Sequence, residues 1–120
     1  MQDGDRAILI VDGDQDVRSS ATEALGPLGH KIVAAADADT ALTAIEEDGA
    51  IALMLVDVTL EGARQLVARA QAARPGLHVV YTTGYPEMLI LDREAPSREL
   101  LLRKPLDPER IRAVMARVTS

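Results

Sequence analysis

The chain has no cysteine, tryptophan or phenylalanine, and its two tyrosines are Tyr81 and Tyr85. The absence of cysteine excludes disulfides, thiolate metal sites and cysteine nucleophiles, and it is typical of a reducing compartment. The scarcity of aromatic rings predicts an aliphatic core. No apolar stretch approaches the roughly 20 residues of a membrane span, and the first residues lack the basic and apolar regions of a signal peptide. We therefore expect a cytoplasmic protein without a membrane partner.

The charge balance disfavours another class of partner. The formal net charge is −6, with 13 lysines and arginines against 19 acids. Nucleic-acid binding needs a basic patch, and the basic residues here are dispersed, so we expect no direct contact with nucleic acid. A length of 120 residues is enough for one core and too short for two. This predicts a single domain over residues 1–120.

Short apolar runs and helical patterns alternate along the chain. The runs are continuous, as in strands of a parallel sheet that is covered on both faces. The predicted strands are residues 7–11, 31–35, 51–56, 77–82 and 100–102. The predicted helices are residues 17–28 with Asp14 or Asp16 as the cap, 38–47, 63–73, 86–93, and a last one from Pro108 through Val118 with Asp107 as its cap. This alternation predicts a doubly wound α/β sheet flanked by five helices, with its binding site at the carboxyl ends of the strands.

Polar residues follow four of the predicted strands. Asp12, Gly13 and Asp14 follow the first, Asp57 closes the third, Thr83 closes the fourth and Lys104 follows the fifth. These positions share one edge of a parallel sheet. Carboxylates and a hydroxyl suit a hard divalent cation, and an ammonium suits a phosphoryl group. The pattern predicts phosphoryl-transfer chemistry.

Four segments at this edge carry a family resemblance. They are ILIVDGDQDVR at 8–18, LVDV at 55–58, VYTTGY at 80–85 and LRKPL at 102–106. In order and spacing they resemble the CheY-like receiver domains of two-component response regulators. The resemblance implies a flavodoxin-like fold with strand order 2-1-3-4-5. It also implies a signalling domain that catalyses at most its own phosphorylation and dephosphorylation.

The resemblance implies roles for individual residues. Asp57 would take a phosphoryl group from a phosphohistidine of a histidine kinase or phosphotransfer protein. Thr83 would donate a hydrogen bond to the phosphoryl group on Asp57. Together with Tyr85, it would act as a conformational switch. Lys104 would pair with the group, and Pro105 is a candidate for a cis peptide bond.

The metal site implied by the resemblance departs from the family pattern. Mg²⁺ would use Asp12, Asp57 and the main-chain carbonyl of Thr59, with Asp14 as an additional acid. Gly13 stands where receivers carry a second adjacent acid that binds the metal directly. With one charged ligand fewer, we expect weak magnesium binding.

Two further positions depart from the pattern. Glu61 replaces a typical proline, and its charge either adds repulsion at the site or faces outward. Leu101 replaces the usual aromatic switch residue.

A partly exposed apolar surface on the fourth helix and fifth strand would support a homodimer through the face that those elements form with the fifth helix, although core packing explains each residue equally well. This surface comprises Met88, Leu89, Leu100, Leu101 and Leu102.

Two other functions remain open. In a pseudo-receiver, Gly13 would have removed efficient metal binding and left a constitutive interaction module. Alternatively, the strand before Asp12 and the Asp12-Gly13-Asp14 segment fit the start of haloacid-dehalogenase-type phosphatases, with Asp12 as nucleophile and Asp14 as general acid. The Lys104-Pro105 pair disfavours the phosphatase, because such enzymes end a late strand in acids.

Overall fold

The computed structural model describes residues 6–84, 101–104 and 106–119. Its five strands are β1 (Ala7–Val11), β2 (Lys31–Ala35), β3 (Ile51–Asp57), β4 (His78–Thr83) and β5 (Leu101–Arg103). All neighbouring strands pair in parallel, in the order β2-β1-β3-β4-β5. The predicted sheet and its order are confirmed.

Four helices lie within the described residues: α1 (Gln15–Leu25), α2 (Ala38–Glu47), α3 (Ala63–Ala73) and α4 (Pro108–Thr119). The last of these is the predicted fifth helix, and the predicted helix at 86–93 lies outside the described residues. The first helix was expected to reach Leu28, but a 3₁₀ turn, Gly26–Leu28, replaces its last turn. Pro27 explains the change, because its nitrogen has no hydrogen to donate within an α-helix. Gly29 then ends the segment with a positive φ of 88°.

The core has two layers, one on each face of the sheet, and it is aliphatic as predicted. The face that includes Val11 and Val56 packs against α2 and α3. The face that includes Ile10 and Leu55 packs against α1 and α4. Strands β1 and β3 are buried along their apolar residues, as expected for strands that have helices on both faces of the sheet.

Strand β2 differs from this expectation. It is an edge strand, and Lys31 and Ala34 are exposed while Ala35 alone is fully buried. A continuous apolar run does not distinguish an edge strand from a central one, which explains the difference.

None of the helices in the described ranges has the length and hydropathy that crossing a bilayer requires.

Candidate functional site

The register of the sheet brings two carboxylates together. Val11 of β1 pairs with Val56 of β3, so the next residues, Asp12 and Asp57, leave neighbouring strands at the same height. Asp12 is buried and Asp57 is partly buried. Two acids this close repel each other unless a cation lies between them.

Lys104 supplies that cation. Its Nζ donates to Asp12 Oδ2 at 2.5 Å and to Asp57 Oδ2 at 3.2 Å. Burial favours the neutral amine, but the hydrogen bond to Asp12 and the charges of both acids outweigh it and raise the pKa of Lys104. The lysine is therefore a fixed positive charge at neutral pH.

The loop after β1 holds Asp12 in place. Asp12 Oδ1 accepts the main-chain N–H of Asp14 at 2.9 Å, and Arg18 Nη1 donates to the Asp12 carbonyl oxygen at 2.7 Å. Asp14 caps α1, because its side chain accepts the N–H of Asp16. Of the two predicted caps, Asp14 is the one observed, and its side chain is exposed.

Thr59 fixes the other carboxylate. Its main-chain N–H and its hydroxyl both donate to Asp57 Oδ1 at 2.9 Å. The hydroxyl contact was not anticipated from the sequence, which suggested only the carbonyl of Thr59 as a metal ligand. Arg18 was likewise missed as a partner of Asp12, because neither contact has a sequence pattern of its own.

Thr83 lies at the same edge of the sheet, at the end of β4. Thr82 is the residue opposite Asp57, and Thr83 is one position further along. Both threonines are buried. The main-chain N–H of Lys104 donates to the Thr83 carbonyl oxygen at 2.8 Å, so the predicted switch residue and the predicted phosphoryl partner are joined through their backbones.

The two departures in the loops have different structural settings. Glu61 is exposed, which favours the second of its two alternatives, a charge that faces outward. Gly13 has room for a side chain, because a Cβ there would lie 3.9 Å from both the Ala36 carbonyl oxygen and Leu60 Cδ1. Its φ is not positive either, so the backbone does not require glycine. The fold would therefore accept an acidic side chain at position 13, and glycine there is not a structural requirement.

The donors at this edge suit a hard divalent cation but are few. The Asp12 and Asp57 carboxylates and the Thr59 main-chain carbonyl are oxygen ligands of the kind that Mg²⁺ takes. Among the described residues, no group of three His, Cys, Asp or Glu side chains could hold a metal ion. The weak magnesium binding expected from Gly13 stays a prediction.

Several sequence predictions lie outside the described residues. They concern Tyr85 as a switch, Pro105 as a cis proline, and Met88, Leu89, Leu100 and the side chain of Leu101 in the apolar surface. The remaining member of that surface, Leu102, is buried with 6% exposure and packs in the core beside α4. Core packing therefore accounts for Leu102.

Comparisons with known proteins agree with this architecture. No family model and no curated protein sequence matches the chain. Among solved structures, a CheY-like response regulator receiver domain protein of Methanospirillum hungatei JF-1 is 25% identical with a TM-score of 0.74, and the match covers 95% of this chain and 96% of that one. The receiver domain of AraT, a response regulator of Geobacillus stearothermophilus, is 27% identical with a TM-score of 0.71, over 94% and 92% of the two chains.

A third match is to part of a longer protein. NtrX of Brucella abortus is 30% identical with a TM-score of 0.72, and the match covers 93% of this chain and 26% of that one. The chain therefore has the receiver-domain fold, and the resemblance to CheY-like receivers that the sequence motifs predicted is confirmed over nearly its whole length.

Proposed function

We propose that the chain is a phosphoacceptor receiver domain, in which Asp57 takes a phosphoryl group from a histidine kinase or phosphotransfer protein. The observation that supports this most is the contact of Lys104 Nζ with Asp57 Oδ2 at 3.2 Å. A cation beside the acceptor carboxylate is positioned to compensate the charge that a phosphoryl group brings. The domain would act in the cytoplasm and signal through contacts with other proteins.

The transfer would run through the acceptor carboxylate. An Asp57 oxygen forms a bond to phosphorus as the bond from phosphorus to the donor imidazole breaks. The electron pair of the broken bond stays on the donor nitrogen, which then takes a proton from solvent. Lys104 would pair with the phosphoryl oxygens, and the Thr83 hydroxyl would donate to one of them.

Asp12, Asp57 and the Thr59 carbonyl would hold Mg²⁺ in such a reaction. The ion would supply positive charge against the carboxylate and phosphoryl oxygens. Thr59 would keep the Asp57 carboxylate in its orientation, and Arg18 would keep the carbonyl of Asp12 in place, since both make these contacts in the structure. Because Gly13 supplies no third acid, the expected affinity for magnesium is low.

Small phosphodonors test the proposal without a cognate kinase. We expect acetyl phosphate with millimolar Mg²⁺ to add one phosphoryl group, detected by intact-mass spectrometry. Beryllofluoride should shift the amide NMR signals near Asp57. Asp57→Asn should abolish both responses, whereas Asp48→Asn, the same change at the opposite end of the sheet, should leave them intact. An unmodified wild-type protein under these conditions would contradict the proposal.

A constitutive pseudo-receiver is the second candidate, and Gly13 in place of a metal-binding acid favours it. In that case the wild type should stay unmodified, and Gly13→Asp, for which the fold has room, should restore the response. A response that survives Asp57→Asn but disappears in Asp12→Asn would indicate the phosphatase instead.

A homodimer through the surface formed by the predicted fourth helix, β5 and α4 completes the proposed partners, and size-exclusion chromatography with light scattering checks it.

A further inference from the structure

A cavity of about 300 Å³ opens between the end of β5 and the start of α4. Its lining residues are Leu102, Arg103, Lys104, Asp107 and Arg110. We propose that this β5–α4 cavity binds a small phosphate-bearing anion, with Arg103 and Arg110 as the residues that hold its phosphate group. The inference goes beyond the proposed function, since this phosphate would be bound and not transferred.

The two arginines are the cations that this cavity has to offer. Both are exposed, and no ion pair within the described part of the chain includes either of them. Lys104 also lines the cavity, but its ammonium is bonded to Asp12 and Asp57. Two guanidinium groups from different elements thus meet at one opening without an acidic partner, although the chain has 19 acids.

The nearby polar groups are already engaged. Asp107 Oδ1 accepts the N–H of Glu109 at 3.0 Å, and Glu109 lies 3.8 Å from Arg112. The N–H groups of Arg110 and Ile111 donate to the Asp107 carbonyl oxygen. The start of α4 therefore supplies no evident donor of its own, and the arginine side chains must carry the binding. Asp107 balances one of the two arginine charges, which leaves one positive charge in excess.

The geometry of the donors favours phosphate over carboxylate. A guanidinium presents a planar fork of N–H donors, and a single fork occupies both oxygens of a carboxylate. A phosphate ester has three terminal oxygens and about two negative charges at neutral pH, so it can accept from two forks that approach from different elements. The volume is in the range of small-molecule sites, and Leu102 adds apolar surface for an organic group.

An NMR titration of the full chain tests the site directly. Phenyl phosphate is the probe, without added metal and at about 0.15 M salt, where charges more than about 8 Å apart are screened. We expect saturable shifts of the Arg103, Arg110 and Ile111 amides and little change at Val58 and Thr59 beside Asp57. The net charge of −6 disfavours a general attraction of anions, so saturation would report the local arrangement.

Two further ligands define the chemical class. Malonate carries two negative charges on carboxylates, and we expect it to bind at least about fivefold more weakly than phenyl phosphate, because each carboxylate is filled by one fork. Inorganic phosphate separates the two sources of a phosphate group. Tighter binding of phenyl phosphate would identify a phosphate ester as the ligand, and tighter binding of inorganic phosphate would identify the free ion.

Variants assign the binding to the cavity. Arg103→Gln and Arg110→Gln should each weaken phenyl phosphate binding about fivefold, as expected for a partly screened contact with a charged group. Arg112→Gln is the matched control, because it removes the same charge from an exposed position of the same helix outside the cavity, and it should change the affinity by less than about twofold. Asp107→Asn keeps a residue that can cap α4 and should tighten binding about twofold. Circular dichroism establishes that each variant is folded.

Four outcomes would overturn the inference. They are no saturable shift of the Arg103 and Arg110 amides with either phosphate ligand, shifts centred on Val58 and Thr59, equal affinity for malonate and phenyl phosphate, and an equal loss in Arg112→Gln. None of these readouts requires phosphorylation of Asp57. Failure of acetyl phosphate to modify Asp57 would therefore contradict the proposed function and leave this result standing.

Discussion

The two lysines of the chain meet carboxylates at opposite ends of the sheet, and the two settings differ in burial. At the amino end, Lys31 pairs with Asp48 at 2.9 Å, and their side chains are 65% and 25% exposed. At the carboxyl end, Lys104 contacts two acids and is largely buried with them. The same chemical pair is thus solvated at one end and withdrawn from water at the other.

The two ends of the sheet also differ in how their charges are paired. At the amino end, Lys31 is matched by Asp48, and Arg74 is bound to main-chain carbonyls. Arg74 Nη1 donates to the Ile51 carbonyl at 2.9 Å, and Nη2 donates to the carbonyl of Ile45, so this side chain joins α3 to α2 and β3. At the carboxyl end, two acids, Asp12 and Asp57, share one lysine, Lys104, so one negative charge is in excess. Under the proposed function, a cation from solution would neutralise that excess.

Removing each lysine gives the largest expected contrast. Lys104→Gln leaves two neighbouring, mostly buried carboxylates without their cation, and we expect it to lower the free energy of unfolding by about 2 to 3 kcal/mol. Lys31→Gln breaks a solvated pair and should cost less than about 1 kcal/mol. Urea denaturation at neutral pH measures both. Equal losses would show that the burial difference has no energetic consequence.

Arg74 tests the amino end in the same way. Arg74→Met keeps much of the aliphatic side chain but leaves the carbonyls of Ile45 and Ile51 without this donor. We expect a loss of about 2 kcal/mol in the free energy of unfolding, because each abandoned buried acceptor is costly. Arg69→Met, on an exposed position of the same helix, serves as the control and should change stability by less than about 0.5 kcal/mol. A loss in both variants of similar size would contradict the assigned role.

Most of the fold followed from local patterns. Strand starts and ends agree with the apolar runs to within one residue, because continuous runs in an aliphatic sequence have few alternatives. Helix α3 was predicted over residues 63–73, and it spans Ala63–Ala73 with Arg74 as its cap residue. The sequence did not indicate what the Arg74 side chain does, since its partners lie 23 and 29 residues away.

The candidate site was predicted as a set of residues and not as a network. Sheet topology alone brings Asp12, Asp57 and Lys104 to one edge, so their meeting could be inferred. The sequence suggested that Lys104 serves a phosphoryl group, whereas the structure joins it to Asp12, 92 residues away, more closely than to Asp57. Side-chain reach across a sheet depends on rotamers and register, which no local pattern encodes.

The smallest expected effect is the pH dependence of the amino end. The hydrogen bond from Lys31, followed by that from the Ala50 N–H, lowers the pKa of Asp48 below 3.8. A pKa that is lower in the folded state means that this stabilisation is complete above 3.8 and is lost as the pH falls through the folded value. Asp48→Asn should therefore cost less than about 1 kcal/mol at pH 6, and the difference from wild type should shrink as the pH falls below 3.8. Urea denaturation at pH 6 and at a pH below 3.8 measures this difference in stability between variant and wild type. A difference that stays constant on acidification would mean that Asp48 stabilises the fold through its shape and not through its charge.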